Sequence, residues 1–589
     1  MVLHKDVGPL ISMEEMSRCI HCTRCVRFGQ EIAGVMELGM IHRGEHSEIT
    51  TVLNDTVDSE VSGNMIDLCP VGALTSKPFR YSARPWELSR RKSVSPHDST
   101  GANLIVQVKN NKVLRVLPFE NNDVNECWLA DRDRFSYEAL NTSERLTSPM
   151  LKQDGEWKAV DWQTALEYVA RGVNDIKAQH GAKSIGALVS PHSTVEELFL
   201  AQKLVRALGS ENIDFRLRHA EFPTPEGGSY DAPPVRWLGT SIASLSNLQR
   251  VLVVGSNLRK EHPLFALRVR AAARHGAQVS VIHDRDNDWA MPMTGKSIVG
   301  AGQWVQALAD VATAIGNEKG EKAPLNGNAT EAAKAIAASL LSGERKAIFL
   351  GNAAAHHPTA SSLLSLAQWI GEQTGATVGF LTEAANTVGA QLVKAMPGEG
   401  GLNAGQMLAD SLKALFLLNT EPEFDSAAGA AARKLGQGGG MVVTLSPFKA
   451  NLDISDVLLP IAPWTETPGT FVNAEGRVQS FHAVVKPLAE TRPGWKVLRV
   501  LGNMLGLPGF EYESANEVLA DARGKADAGE PLVQGNLLSN KTAKAAWLGD
   551  TSAHPVAATI YQLDGIVRRA PSLQLTADAR AAQAQEVAA

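Results

Sequence analysis

Cys19-Ile20-His21-Cys22-Thr23-Arg24-Cys25, answered far downstream by Cys69-Pro70-Val71-Gly72-Ala73-Leu74, is the stretch around which the chain is organised. Four of the five cysteines in 589 residues fall within the first 69 positions, as a C-x2-C-x2-C run and a lone C-P-x-G-A-L. The run lets three thiolates converge from one tight loop, and Pro70 turns the chain away after the fourth. Disulfides fit poorly, because the chain is long and cysteine-poor and carries no secretory signal. A structural zinc site usually pairs two separated C-x2-C knuckles, which this pattern lacks, although zinc stays open as an alternative. The spacing therefore predicts a 4Fe-4S cluster.

Length and composition set the frame for that site. A chain of 589 residues exceeds a single hydrophobic core, and 44% apolar with 20% charged residues is an ordinary globular balance. The net charge of -6 argues against a nucleic-acid partner. No apolar run approaches the roughly 18 residues needed to span a bilayer, and Val457 to Ala462 is short and broken by Pro460. The opening Met1 to Pro9 reads like the middle of a domain, which predicts a segment upstream of it.

Four regions follow from texture. Residues 1–80 are the cluster region, where Ser12-Met13-Glu14-Glu15 has the form of a capping box and predicts a short helix from Met16 to Cys19. Glu48 to Leu53 reads as a strand, in an excursion expected to fold back over the cluster and keep water off it. Residues 85–145 are β-rich. Ala102 to Val108 and Lys112 to Leu117 form a predicted hairpin around Asn110-Asn111. Over 146–515 strands alternate with helices, as in Arg250 to Gly255, the helix Leu264 to His275, and Gln278 to Ile282. The strands Ala347 to Gly351, Ala414 to Leu418 and Met441 to Leu445 continue the pattern. Repeated βαβ units imply parallel sheets with helices on both faces. Residues 516–589 are weakly patterned, and Ala577 to Ala589 reads as a polar helix or a frayed tail.

The residues Met13 to Phe28, followed by Cys69 to Thr75, closely resemble the large iron-sulfur subunit of respiratory complex I, the family known in bacterial NADH-quinone oxidoreductases as the G subunit and in mitochondria as the 75 kDa subunit. Ser455 to Pro460 and Glu466 to Arg477 are similar to the molybdopterin oxidoreductase fold. The resemblance implies a small α+β iron-sulfur domain on a multi-layer α/β body. Carried over by position, Cys19, Cys22, Cys25 and Cys69 would hold one 4Fe-4S relay centre with no catalytic residue of its own. The implied partners are the flavin- and NADH-binding subunit and quinone-side iron-sulfur subunits. The implied place is peripheral, on the cytoplasmic face of a bacterial inner membrane or the matrix side in mitochondria. Arg24 and Arg27 beside the ligands would raise the cluster potential, or else serve in surface ion pairs or subunit contacts.

The sequence also departs from that family. The cysteines of an N-terminal 2Fe-2S domain are absent, as are those of a second cluster bound by one histidine and three cysteines, which predicts a truncated or split chain. Ser93 to Thr100, where some relatives carry further ligands, has no cysteine. Ala130 stands where the last of those ligands would be, and Cys127 is expected to be a buried small hydrophobe. No cysteine follows Cys127 to bind molybdenum. Gly255-Ser256-Asn257 is weak evidence for a nucleotide, and Gly398-Glu399-Gly400-Gly401 reads as a turn. The α/β body is thus expected to have lost its molybdopterin. His21 is expected at the surface, and His356-His357 in structural roles. The competing readings are a molybdenum or tungsten oxidoreductase similar to a formate dehydrogenase large subunit, and an inactive truncated structural subunit.

Overall fold

The computed structural model describes residues 5–52, 56–223, 234–409, 412–435, 439–524, 532, 537–549, 552 and 554–588. Leu53, the expected end of the excursion strand, lies outside the described residues; the strand itself runs Glu48–Thr51 and pairs antiparallel with Leu38–Ile41. Lys5–Asp6, Ile11–Met13 and Thr75–Ser76 form a second small antiparallel sheet. That sheet overturns the expected capping box. Ser12 pairs with both Asp6 and Thr75 in the strand ladder, and its Oγ accepts from the Arg80 guanidinium at 2.8 Å. The predicted helix is a single 3-10 turn, Met16–Arg18, with no side-chain cap.

The β-rich module has the expected hairpin, Asn103–Lys109 with Lys112–Pro118. Asn110 (φ 51) and Asn111 (φ 59) both take the left-handed conformation that a two-residue turn between twisted strands requires. A third strand, Ser89–Val94, pairs on the outer side of the hairpin. It escaped sequence reading because Ser89-Arg90-Arg91-Lys92 is exposed on both faces and shows no alternation.

The body holds two sheets. The first has the order Glu156–Ala159, Met150–Gln153, Val457–Pro460, Met441–Ser446, Ala414–Leu418, Ile185–Val189, Ile213–Asp214, and is parallel beyond its first two strands. The second, Gly295–Ile298, Gln278–His283, Arg250–Val254, Lys346–Leu350, Thr377–Phe380, is parallel throughout. The chain leaves the first sheet after Ile213–Asp214, builds the whole second sheet, and returns at Ala414–Leu418. Continuous apolar runs such as Leu415 to Leu418 and Val251 to Val254 are buried, as strands covered on both faces must be.

The C-terminal region is more than a tail. Ile560, Tyr561, Val567, Ala570, Leu573 and Ala579 are buried in the same core as Val7, Met13, Phe28 and Met65 of the cluster region. The closing helix Ala577–Ala588 is alanine-rich, so its apolar face carries too little contrast to be read as amphipathic.

The helix Val195–Ala207 opens with a complete capping box, Thr194 with Glu197. Burial pushes the Glu197 carboxyl up to about 7. An acid whose pKa rises on folding binds more protons in the folded than in the unfolded state, so its contribution weakens as pH climbs from about 4 through 7. Glu197→Gln retains the cap without the charge. It should be near neutral for thermal stability at pH 5 and stabilising by on the order of 1 kcal/mol at pH 8, read as a difference in melting temperature against the parent.

Candidate metal centre

Three short elements carry three of the four cysteines, and Cys22 lies in the loop between the first two. Cys19 ends the 3-10 turn Met16–Arg18, Cys25 sits in the first turn of the helix Arg24–Arg27, and Cys69 ends the helix Asn64–Leu68. Between the ligands of the run, His21 (φ 53) and Thr23 (φ 59) adopt left-handed conformations, which curl the loop tightly enough to turn its sulfurs inward. The helix after Cys25 continues as a π-helical turn, Phe28–Ala33, which ends at Gly34 (φ 84).

All four sulfur-bearing residues line one small cavity, whose other walls include Met16, Ile49, Val71 and Leu74. Ile49 comes from the Glu48–Thr51 strand, so the excursion does contribute a lid on one side. The other side is open: Ile20 is 60% exposed and Cys22 is exposed. The Leu74 amide donates to Cys69 Sγ at 3.4 Å. Burial, and then the neighbouring sulfurs of Cys19 and Cys69, push the Cys25 thiol up to about 11 against the pull of the Val26 amide. Thiolates crowded in this way need a cationic core to neutralise them. Such a donor set, apolar on one side and bearing an amide-to-sulfur bond, fits an iron-sulfur cluster. All five cysteines are free.

The side chains around the ligands sort as follows. His21 is exposed. Arg27 pairs with Glu31 at 2.9 Å on the surface, which offsets its charge toward the cavity. Arg24 is exposed and lines the rim. Cys127 is exposed, not buried as expected: it directly follows the turn closed by the Asn121–Glu126 bridge.

The segment Ser93 to Thr100 is wholly buried, and it is polar. Ser95 Oγ donates to Asp133 at 2.6 Å, and the His97 ring bridges Asp564 and Ser136, each at 2.7 Å. Asp98 is ion-paired with Arg132. Although burial alone would raise it, the charge and hydrogen bond of His97 hold the Asp564 carboxyl well below the usual range. The helix Asp131–Phe135 carries this network on one side and grips the cluster region on the other. Asp131 accepts from Ser62 Oγ at 2.6 Å and the Gly63 amide at 2.7 Å, and Arg134 reaches Asp67 at 2.6 Å, two residues before Cys69. Sequence reading used Asp131 to Phe135 only as a landmark. Four consecutive charges give no periodicity, and their partners lie far away in sequence.

A second, larger cavity of about 500 Å³ lies in the body, between the two sheets. His219 and His356 meet there with ring centroids 4.9 Å apart. His356 Nδ1 donates to the Val556 carbonyl at 2.7 Å, and His357 hydrogen-bonds Ala301 and Thr359. No cysteine lines this wall, and Ser361 is engaged by Glu221. Gly398 and Gly401 are packed against Glu211, and Gly400 (φ 73) turns the chain, so the loop is a turn whose glycines are explained without a ligand.

An iron-sulfur domain joined to a two-sheet molybdopterin-type body is the class of protein that this fold and site define. Residues 145–504 match the Molybdopterin oxidoreductase family, residues 8–75 the ferredoxin-like domain of NADH-quinone oxidoreductase subunit 3, and residues 88–138 the 4Fe-4S domain of the NDSU1/NuoG-like NADH-ubiquinone oxidoreductases. Among relatives, the G subunit of the NADH-quinone oxidoreductase of Rickettsia felis is 32% identical over 85% of this chain and 68% of its own length, and that of Rickettsia conorii 30% identical over 99% and 80%. The mitochondrial NADH-ubiquinone oxidoreductase 78 kDa subunit of Candida albicans is 31% identical over 97% and 75%. The chain belongs to the G-subunit family of the NADH-quinone oxidoreductases. Acetylene hydratase from Pelobacter acetylenicus shares the fold, with a TM-score of 0.53 and 14% identity over 74% of this chain and 72% of that one.

Asp131→Ala should remove the acceptor at the start of the Asn64–Leu68 helix and leave two buried donors unmet, at a cost of about 2–3 kcal/mol. Limited proteolysis should then release the cluster region faster than from the parent, while Glu45→Ala, on an exposed turn, leaves the digestion pattern unchanged.

Proposed function

We infer that this chain is the electron-transfer subunit of an NADH:quinone oxidoreductase, relaying electrons from the NADH and flavin side toward quinone through one 4Fe-4S cluster held by Cys19, Cys22, Cys25 and Cys69. The observation that carries the reading is the convergence of all four cysteines, three from one loop and one from 44 positions on, upon a single cavity. When bound, such a cluster takes up and releases one electron at a time. Four protein thiolates leave no ligand position for a substrate, so the site conducts and has no bond chemistry of its own. The Ile20 to Cys22 edge is the exposed side, where a neighbouring redox centre could come near; the Ile49, Val71 and Leu74 side shields the rest from water.

A single cluster is the number this chain's residues support. At Ser93 to Thr100 the hydrogen-bonded ion network takes the room that further ligands would need, and exposed Cys127 stands alone. The body is read as a scaffold, since a molybdenum-bound pterin finds no thiol in the cavity wall and the Ser361 hydroxyl is already bound to Glu221. The partners on this reading are the flavin- and NADH-binding subunit and quinone-side iron-sulfur subunits. Among the described residues no helix is long and apolar enough to cross a membrane. Attachment at the cytoplasmic face of an inner membrane would then run through those neighbours.

Reduced at low temperature, the chain should give one 4Fe-4S electron paramagnetic resonance signal and about four irons per chain. Cys22→Ala combined with Cys69→Ala should abolish both; a signal that survives the double change would refute the ligand set.

A further inference from the structure

Ser89–Val94 is an edge strand: it pairs with Asn103–Lys109 on one side and with no strand on the other. Alternate residues of an antiparallel strand turn their N–H and C=O groups away from the partner. Among the described residues no hydrogen bond meets those that Ser89 to Lys92 turn outward. The side chains of these four residues are exposed, whereas Ser93 and Val94 are buried. The free part of the edge is therefore the Ser89 to Lys92 half.

Two features set this edge apart from one that is merely guarded against self-association. The first is its charge. A single lysine suffices to blunt an edge, yet here Arg90, Arg91 and Lys92 stand in a row on a chain of net charge -6. Lys92 rests over the Phe119 ring at 4.4 Å, and among the described residues neither Arg90 nor Arg91 has a carboxylate within ion-pair distance. The nearby acids are already engaged, Glu87 with Lys109 at 3.0 Å and Asp67 with Arg134 at 2.6 Å. The second feature is aromatic surface. Tyr81 (86%) and Trp86 (80%) are the most exposed large apolar side chains among the described residues. Trp86 lies in the 3-10 turn Pro85–Glu87, just ahead of the strand. Tyr81 follows Phe79, whose ring lies 4.4 Å beneath the Arg115 guanidinium. Arg115 Nε in turn donates to Gln107 at 2.7 Å, and Gln107 is the cross-strand partner of Arg90. Both rings thus adjoin the basic edge.

Arginine, tyrosine and tryptophan are the side chains that anchor protein interfaces, and an open edge is completed by an extended chain that supplies main-chain partners. A lipid surface or a nucleic acid offers no such row of amides and carbonyls. Arg90 and Arg91 point to opposite faces of the strand, so two adjacent acids on an added strand would reach both.

We propose that an extended, carboxylate-rich segment of a neighbouring subunit adds to this sheet beside Ser89 to Lys92, its acids at Arg90 and Arg91 and its flank against Trp86 and Tyr81. The proposal rests on the relay reading for the existence of a neighbouring subunit. The first test is the purified complex with p-benzoylphenylalanine in place of Trp86 in the full chain. Irradiation should link it to another subunit, within about six residues of two adjacent acids. The second is binding of the full chain, cluster assembled, to the remaining subunits. Arg90→Glu with Arg91→Glu should weaken it by about tenfold or more at about 0.1 M salt, and Arg90→Lys with Arg91→Lys by less than about threefold. The cluster signal in electron paramagnetic resonance should be the same in every variant, which separates a lost contact from a lost fold. A parent chain that holds its cluster yet binds no other subunit overturns the relay reading and this proposal together. Binding unchanged by the charge reversal overturns this proposal alone. So does a Trp86 probe that links only to its own chain, to a second copy, to nucleic acid or to lipid.

Discussion

Four adjacent ionisable side chains, Asp131, Arg132, Asp133 and Arg134, are each at most 3% exposed, and burial pushes the Asp131 carboxyl up to about 7. Burying a charge is tolerable only where it is paired and hydrogen-bonded, so this one helical turn dictates what must surround it. Asp131 demands the Ser62–Gly63 turn, and Arg134 demands Asp67. Arg132 demands Asp98 and the Glu261 carbonyl, and Asp133 demands Ser95. Through these partners a single turn fixes the cluster region, the Ser93 to Thr100 loop and the first helices of the second sheet against one another. Burial and the nearby Asp98 push the Asp133 carboxyl up to about 6, so the loop side of the network is close to its limit of buried charge. His97, which bridges Ser136 and Asp564, extends the network to the C-terminal segment.

That arrangement explains why the C-terminal residues belong to the beginning of the chain. Tyr561 is fully buried among cluster-region side chains, and Lys260 links Glu60 to Asp578 of the closing helix. The cluster region has about 75 described residues and only small two- and three-stranded sheets of its own. Regions of this size are marginal on their own apolar burial, and the core shared with Ile560 to Ala579 adds to it. A cluster that passes electrons benefits from such rigidity, because its ligands then change little in position between redox states.

Much of this was legible in the sequence where physics is local. The cysteine run, the Asn110-Asn111 turn and the apolar strands at Arg250, Ala347, Ala414 and Met441 each carry their signal within about seven residues. What was missed is non-local. Ser12 to Glu15 has the composition of a capping box, yet strand pairing with residues 63 positions away claims Ser12 first. The strand Ser89–Val94 is exposed over its first four residues and has no apolar alternation to betray it. Cys127 was expected inside because free cysteines usually are, and its exposure follows from a turn whose geometry, with Glu126 at φ 53, no residue pattern announces. The cavity in the body is a product of topology: Phe222, His356, Thr382 and Lys544 come from four distant segments and share no motif.

The two halves of the molecule place opposite demands on their polar groups. Around the cysteines the chain offers thiols and backbone amides directed at the Cys69 and Cys25 sulfurs, with few charged side chains on the cavity wall among the described residues. Arg27 is paired with Glu31 at the surface, while Arg24 lines the rim of the cavity. Across the Asp131–Phe135 helix the reverse holds: carboxylates, guanidiniums and His97 neutralise one another with little left for a metal. The helix is thus a boundary between a site that must import positive charge and a network already balanced. Residues 88–138 match a 4Fe-4S domain, and within them the buried Ser93 to Thr100 segment spends its polar groups on Asp133, Asp564, Ser136 and Arg132.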